Sequence, residues 1–289
     1  MSVRTYLAVA VCACPLAGSA QPPTQVDWNA PFPPHRIFDN LYYVGTEQLA
    51  TYLITTPNGH ILINSDFEST VPILQQNVAA LGFEFEDIEI VLGSHAHGDH
   101  MQADALVKEL TGAEVMAMAE DVPALRAMRP GAKEHPIDRV LHDGDEVTLG
   151  GTTLTAHLTP GHTKGCTSWA FEVEEGGQTY AALIVCSFGV NPNYVLVDNP
   201  NYPDIAVDYV ATFAKARTLP VDVFLAPHGS QYGLAEKHAK LASRGPNDPN
   251  PFIDRAGYLA HIDLQEQRFK DMLAEQQARA EAARSEARP

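Results

Sequence analysis

The sequence predicts a mixed α/β protein in which two sheets are sandwiched between helices. Short apolar, β-branched runs recur in both halves of the chain, bounded by Gly, Pro, Asn and Asp. Helical periodicities alternate with these runs instead of following them as a block, which fits two sheets between helices better than one parallel sheet. No internal repeat and no Pro/Gly/Ser linker splits the 289 residues, so residues 21–289 are expected to form a single domain. At 45% hydrophobic and 19% charged, the chain is apolar enough for one large core or two fused halves.

Residues 1–20 read as a signal peptide. Arg4 is the only charge before an apolar run from Tyr6 to Leu16, and Gly18-Ser19-Ala20 offers small residues for cleavage. The run is too short for a comfortable membrane span, so periplasmic or secreted localisation is expected. A lipid anchor on Cys12 or Cys14 is the alternative, without a clean small-residue context for either. The Pro-rich residues 21–35 are expected to lie over the surface as an N-terminal arm. Strands follow at Leu41 to Gly45 and Ala50 to Thr55, then a Pro57-Asn58-Gly59 turn and a returning strand at His60 to Asn64. Val71, Leu74, Val78 and Leu81 fall on one helical face, with Ser69 or Thr70 as the N-cap.

A buried strand, Ile88 to Leu92, leads into Ser94-His95-Ala96-His97-Gly98-Asp99-His100. A helix is expected from about Asp99 to Leu110, a strand at Glu114 to Ala117, and a helix over about Glu120 to Met128. Further strands are expected at Val140-Leu141, Glu146 to Leu149 and Thr152 to Thr159, then a hairpin of Thr167–Glu174 and Gln178–Cys186 about Glu175-Gly176-Gly177. A loop to Pro203 precedes a helix over about Asp204 to Leu219, whose buried face carries Ile205, Tyr209 and Phe213. Val221 to Ala226 reads as a buried strand. A last long helix starts near Arg255 with Ile262, Phe269 and Leu273 on its apolar side. Beyond about Gln276 the apolar periodicity stops, and residues 277–289 are expected to fray.

The formal net charge is −17, and Lys and Arg are too few and too scattered to make a nucleic-acid surface. No protein partner is implied. Chemistry concentrates at His95, His97, Asp99 and His100, three imidazoles and a carboxylate in six positions. His95 and His97, two apart, can point the same way from extended backbone. Gly98 then allows the turn that presents Asp99 and His100. These are more donors than one open tetrahedral zinc site takes from one loop, which suggests two metals. His162, in Thr159-Pro160-Gly161-His162, and His228, in Pro227-His228-Gly229, each follow a strand as His95 does. The grouping expected is His95, His97 and His162 on one zinc, with Asp99, His100 and His228 on the other. His35, His60, His135, His142, His157, His238 and His261 stand alone and are expected to be structural or superficial. Once residues 1–20 are removed, Cys166 and Cys186 remain, an even pair that suggests a disulfide in an oxidising compartment, with two buried thiols as the alternative.

His95-x-His97-x-Asp99-His100, His162 and His228, in this order, resemble the metallo-β-lactamase superfamily, and the Asp99-His100 pair resembles its subclass B3. Trp28, the Asn40 to Gly45 strand and Asn191-Pro192-Asn193-Tyr194 add to the resemblance, which covers about residues 28–275. It implies a four-layer αβ/βα sandwich with two Zn2+ ions at one edge between the sheets. It also implies that a water activated by these ions opens the β-lactam ring of an antibiotic, without an acyl-enzyme. Asp99 would be a ligand that also orients the attacking oxygen. Ser187 and Tyr194 would contact the substrate carboxylate or carbonyl, and Trp28 would line the pocket. Many thioesterases and lactonases of the superfamily carry a metal-bridging aspartate where this chain has Val185-Cys186-Ser187, and a serine there resembles subclass B3. Some B3 members join the residue before this serine to a cysteine four after the third histidine, which implies Cys166–Cys186. The rival is Cys186 as a zinc ligand, as in the first subclass. Gly98 replaces a bulkier residue and Asn193 a common glycine, which implies altered pocket shape or turn geometry. The alternatives to a β-lactamase are a dizinc hydrolase of lactones or thioesters, and a secreted zinc-binding protein without turnover.

Overall fold

The structure is a computed structural model and describes residues 26–286. The expected signal peptide, residues 1–20 with Cys12 and Cys14, lies outside the described residues. In chain order the elements are β1 (His35–Phe38), β2 (Leu41–Tyr43), β3 (Tyr52–Thr56), β4 (Gly59–Ile63), α1 (Val71–Ala80), β5 (Ile88–Leu92), α2 (Gly98–Met101) and α3 (Asp104–Thr111). Next come β6 (Glu114–Met118), α4 (Val122–Ala127), β7 (Arg139–Leu141), β8 (Glu146–Leu149), β9 (Thr152–Leu158), β10 (Thr167–Glu175) and β11 (Gln178–Ile184). The chain then runs through α5 (Ile205–Ala216), β12 (Val223–Leu225), α6 (Gly229–Tyr232), α7 (Leu234–Ala242) and α8 (Arg255–Glu286).

Strands β1 to β7 form one sheet in sequence order, and the second sheet has the order β12-β11-β10-β9-β8. The first is antiparallel from β1 to β4 and parallel from β4 to β7. Strands β3 to β5 are buried on both faces over Tyr52–Ile54, Ile61–Ile63 and Ile90–Leu92, which explains these apolar runs. Tyr52, Ile54, Ile61, Ile63, Ile90 and Leu92 point into the space between the sheets, where Leu154, Trp169, Phe171 and Val173 meet them. The alternate residues Leu53, Leu62 and Val91 face the other way, against Leu74 and Val78 of α1 and Val107 of α3. On the far side, Tyr209 and Phe213 of α5 pack on Phe269 of α8. The molecule is therefore a four-layer αβ/βα sandwich.

The hairpin of β10 and β11 closes through Gly176 and Gly177, both at positive φ, with Glu175 opposite Gln178. That is the backbone a two-residue hairpin turn requires. Thr70 does precede α1, but its hydroxyl donates to Asn29 Oδ1 at 3.0 Å instead of capping the helix. The helix expected after Asp99 is two pieces, α2 and α3, broken where Ala103 N donates to Asp66 O. Strand β1 and helices α6 and α7 are additional to the sequence reading.

The C-terminal segment also departs from expectation. Helix α8 continues past Gln276 to Glu286. Its Ala, Glu and Arg residues are strong helix formers, and Glu275 pairs with Arg279 one turn on. Gln276 also ties the helix to the loop after β11: its amide donates to Tyr194 O at 2.7 Å and its carbonyl accepts from Leu196 N at 2.7 Å. Arg284 reaches Asp198 of the same loop.

Cys166 and Cys186 form a disulfide with Cα atoms 5.6 Å apart. It ties the loop before β10 to the end of β11, beside the histidine loops.

Burial lowers the pKa of His261 on α8 to about 4. Its ring lies between Phe188 and Phe224, and Nε2 has no hydrogen-bond partner among the described residues. The unfolded chain takes up this proton near pH 6.5 and the folded chain only near pH 4. The stability held above pH 6.5 should therefore be lost as pH falls toward 4, by about 3 kcal/mol from this side chain. Denaturant unfolding of wild type and His261→Phe in the same metal state across this range should give a shallower pH slope for the variant; equal slopes would contradict the assignment.

Candidate metal centre and active site

The histidine loops start from strand ends that the two sheets bring to one edge. In the second sheet β9 and β11 are each antiparallel to β10, and β12 is parallel to β11, so all three point the same way. His162 follows β9, Ser187 follows β11 and His228 follows β12. The loop after β5 comes from the other sheet and is fastened across the gap. Trp169 Nε1 donates to Gly93 O at 3.1 Å, and Thr167 N donates to Ser94 O at 2.8 Å. Ser94 N donates to Asn64 Oδ1 at 2.9 Å. Ala50 N donates to Pro227 O at 3.0 Å, which fixes the His228 loop to the first sheet.

These constraints bring the sequence-predicted residues together in the expected grouping. Donor atoms of His95, His97 and His162 lie within 4.8 Å of one another, and so do those of Asp99, His100 and His228. The groups adjoin, with the His95 and His100 ring centroids 4.4 Å apart. Asp99 Oδ2 is 3.4 Å from His100 Nε2 and 3.6 Å from His228 Nε2. His95, Cys166 and Cys186 also cluster, but both sulfurs are spent in the disulfide, so Cys186 is not a thiolate ligand.

The imidazoles are prepared to act as neutral donors. Burial lowers the pKa of His95 and His100 well below the ordinary histidine value, with neighbouring imidazoles adding to the effect. Burial lowers that of His162 to about 3, and those of His97 and His228 also go down. His162 Nδ1 is 2.7 Å from Gly189 O, which can only accept, so Nδ1 carries the hydrogen and Nε2 keeps its lone pair. Among the described residues, Nε2 of His95 and both ring nitrogens of His100 are buried without a hydrogen-bond partner. Orphaned polar atoms in the interior are costly. A divalent ion in each group would satisfy Nε2 of His95 and the one ring nitrogen of His100 that faces Asp99, and this donor set of imidazoles and one carboxylate suits zinc.

The metallo-β-lactamase superfamily model matches residues 44–228, a span that contains all six of these side chains. The chain belongs to the metallo-β-lactamase superfamily. Among solved structures, the FEZ-1 metallo-β-lactamase of Legionella gormanii is 43% identical with a TM-score of 0.83, covering 87% of this chain and 99% of that one. BJP-1 of Bradyrhizobium japonicum, a subclass B3 metallo-β-lactamase, is 40% identical with a TM-score of 0.81, covering 88% and 98%. Curated relatives match over less of their length. A hydroxyacylglutathione hydrolase of Fuscovulum blasticum is 33% identical over 106 residues, 37% of this chain and 36% of that protein. Another, of Rhodopseudomonas palustris, is 28% identical over 211 residues, 73% of this chain and 72% of that protein. Within the metallo-β-lactamase superfamily the protein is a hydrolase with two candidate metal groups.

Three further predicted residues surround these groups. Ser187 is 3% exposed, and its hydroxyl makes no hydrogen bond among the described residues. Trp28 is 38% exposed, with its ring centroid 6.0 Å from that of His228 and 6.2 Å from that of Phe67. The Tyr194 hydroxyl donates to His162 O at 2.7 Å, which holds the His162 loop. Asn193 sits in a turn closed by Tyr194 N donating to Asn191 O at 2.9 Å and does not adopt positive φ, so the turn has no need of glycine.

Sequence reasoning missed the acids beneath the ligands. Asp66, fully buried at φ 60°, accepts from Thr51 Oγ1 at 2.6 Å, and its backbone N–H donates to His100 O. Burial raises its pKa to about 8. Asp104 accepts from Ser65 Oγ at 2.6 Å and lies 3.0 Å from the buried His135 ring, so His135 is structural as expected. Asp121 joins two ligand loops. Single acids have no spacing signature, so only the fold could have found them.

Gly98 opens α2 between the ligands His97 and Asp99. A Cβ there would meet Phe67 Cε1 at 3.5 Å and Gln102 Nε2 at 3.9 Å, ordinary contacts. Gly98→Ala should therefore keep both metals by elemental analysis and change unfolding free energy by no more than about 0.5 kcal/mol. Loss of a metal would mean that the loop needs glycine for its backbone.

Proposed function

We propose that this protein is a periplasmic or secreted β-lactamase that uses two zinc ions to hydrolyse the β-lactam ring. His95, His97 and His162 would hold one ion, and Asp99, His100 and His228 the other. Ions so held supply Lewis acidity and a water activated at neutral pH. The neutral imidazoles keep their lone pairs available, and the Asp99 carboxylate accepts a hydrogen bond that orients the attacking water. Ser187, with a free hydroxyl near the groups, is the proposed donor to the substrate carboxylate. Trp28 and Phe67 wall the side next to His228. Tyr194 acts through His162, whose carbonyl it holds.

The observation that carries β-lactam specificity is the end of β11. In many thioesterases and lactonases of this superfamily that position carries a metal-bridging carboxylate, whereas here it carries Cys186, tied to Cys166, and then Ser187. The near-complete coverage of FEZ-1 and BJP-1 supports the same reading. The partial matches to hydroxyacylglutathione hydrolases favour a thioester as the second substrate to test. A zinc-binding protein without turnover fits less well, since each group of three donors leaves a tetrahedral ion one open position.

The zinc-loaded protein should hydrolyse a chromogenic cephalosporin, lose that activity to a chelator and regain it with zinc. Asp99→Ala should lose metal as well as rate. Turnover of S-lactoylglutathione or a lactone with no cephalosporin hydrolysis would replace this reading with the second. Mass spectrometry of the exported protein should begin at Gln21; an intact Met1 or a lipid on Cys14 would contradict the proposed processing.

A further inference from the structure

Asp121 is 3% exposed, and its carboxylate has three donors. Oδ2 accepts from Ala96 N at 2.8 Å and from Thr163 Oγ1 at 2.8 Å, while Oδ1 accepts from Gly165 N at 2.7 Å. Ala96 lies between His95 and His97, and Thr163 follows His162. One carboxylate thus joins the two loops that supply the three-histidine group, although those loops come from different sheets. The seat is built for it. A Cβ on Gly165 would lie 2.5 Å from Asp121 N and 2.6 Å from its Cβ, so only glycine allows the approach.

The charge balance is the second half of the argument. All three donors to Asp121 are neutral, and among the described residues no Lys or Arg pairs with it. Buried charges are ordinarily paired. The adjacent three-histidine group has the opposite imbalance, since a dication there would have only neutral ligands.

We propose that Asp121 is a positioning residue for the His95, His97 and His162 group and the buried countercharge to the ion it holds. This rests on the dizinc reading above. Three hydrogen bonds set the spacing of the loops, and the charge favours the loaded state over the metal-free one. Asp121 touches neither substrate nor metal.

The test compares wild type, Asp121→Asn and Thr163→Val in the metal-free and metal-loaded states. Asp121→Asn removes the charge and turns an amide N–H₂ toward one donor. Thr163→Val keeps the charge and two of the three bonds. Stepwise zinc affinities are measured by competition with a chromophoric chelator. The visible spectrum of the cobalt-substituted protein reports the geometry of each position.

In Asp121→Asn, affinity at the three-histidine position should fall about 10- to 100-fold, and that position's cobalt bands should shift. The second position should change less, and metal-free melting should stay close to wild type. Thr163→Val should show a smaller loss at the same position. Wild-type affinities and spectrum in Asp121→Asn would overturn the proposal. So would equal losses at both positions matched by lower metal-free stability, which would make Asp121 a general structural brace. If Asp121→Asn did not fold, an unchanged affinity and spectrum in Thr163→Val would overturn it. Wild type that bound no zinc would fail the dizinc reading itself, whereas two zincs in wild type and unchanged variants would sink only this inference.

Discussion

Five imidazoles with lowered proton affinity meet in one small volume, and that crowding is the constraint on which the rest of the structure depends. Burial removes the option of charging them, because protonated rings at these separations would repel one another in a medium that screens poorly. At His95 and His100 burial also removes water as a partner for ring nitrogens. What remains is an arrangement whose lone pairs cations would satisfy. The Asp99 carboxylate beside His100 and His228 makes one group more negative than the other. The two positions therefore differ in electrostatics before any substrate arrives.

An assembly of this kind needs a rigid backbone, since a misplacement of about 1 Å is enough to spoil ligand geometry. The sandwich supplies rigidity by taking each ligand loop directly off a strand end. It then ties loops across the two sheets with backbone bonds, as at Ser94 and Thr167 or at Ala50 and Pro227. The Cys166–Cys186 disulfide works at the same edge, holding the end of β11 against the turn that follows His162. Tyr194 and Gln276 extend the tie outward, so the loop after β11 is bonded both to a ligand residue and to α8. This also accounts for the length of α8. A helix that looks superfluous by periodicity has side chains holding a loop at the active edge.

Much of this was legible in the sequence because its signals are local. The donors at 95, 97, 99 and 100 lie within one loop, and the apolar run before them is a strand buried on both faces. Thr159-Pro160-Gly161 and Pro227 mark turns after strands, so His162 and His228 could be placed by context. What escaped depends on contacts between distant segments. Asp121 is one acid in a helical stretch until the fold sets Ala96, Thr163 and Gly165 around it. Nothing in the sequence says that the Tyr194 hydroxyl would donate to the carbonyl of His162. Helices α6 and α7 are short, and α6 begins immediately after His228, where the sequence reading was occupied with the metal ligand. The continuation of α8 was missed because apolar periodicity reports burial, whereas its last turns rely on helix propensity and charge pairs.

The choice between β-lactam and thioester turns on where negative charge sits around two dications. A second carboxylate shared between the ions would draw them together and weaken the Lewis acidity of each. Here the strand end that could supply one is occupied by a disulfide and a serine. The ions would then be held by five neutral imidazoles and Asp99, leaving more residual positive charge to meet a substrate carboxylate and a developing anionic nitrogen. A β-lactam presents both groups on one rigid bicyclic frame. A thioester develops its charge on sulfur, which as a thiolate leaves readily and gains less from a cation placed beside it. The donor set, with neutral ligands in excess and a free hydroxyl at Ser187, therefore supports the proposed opening of a cyclic amide over the release of a thiol.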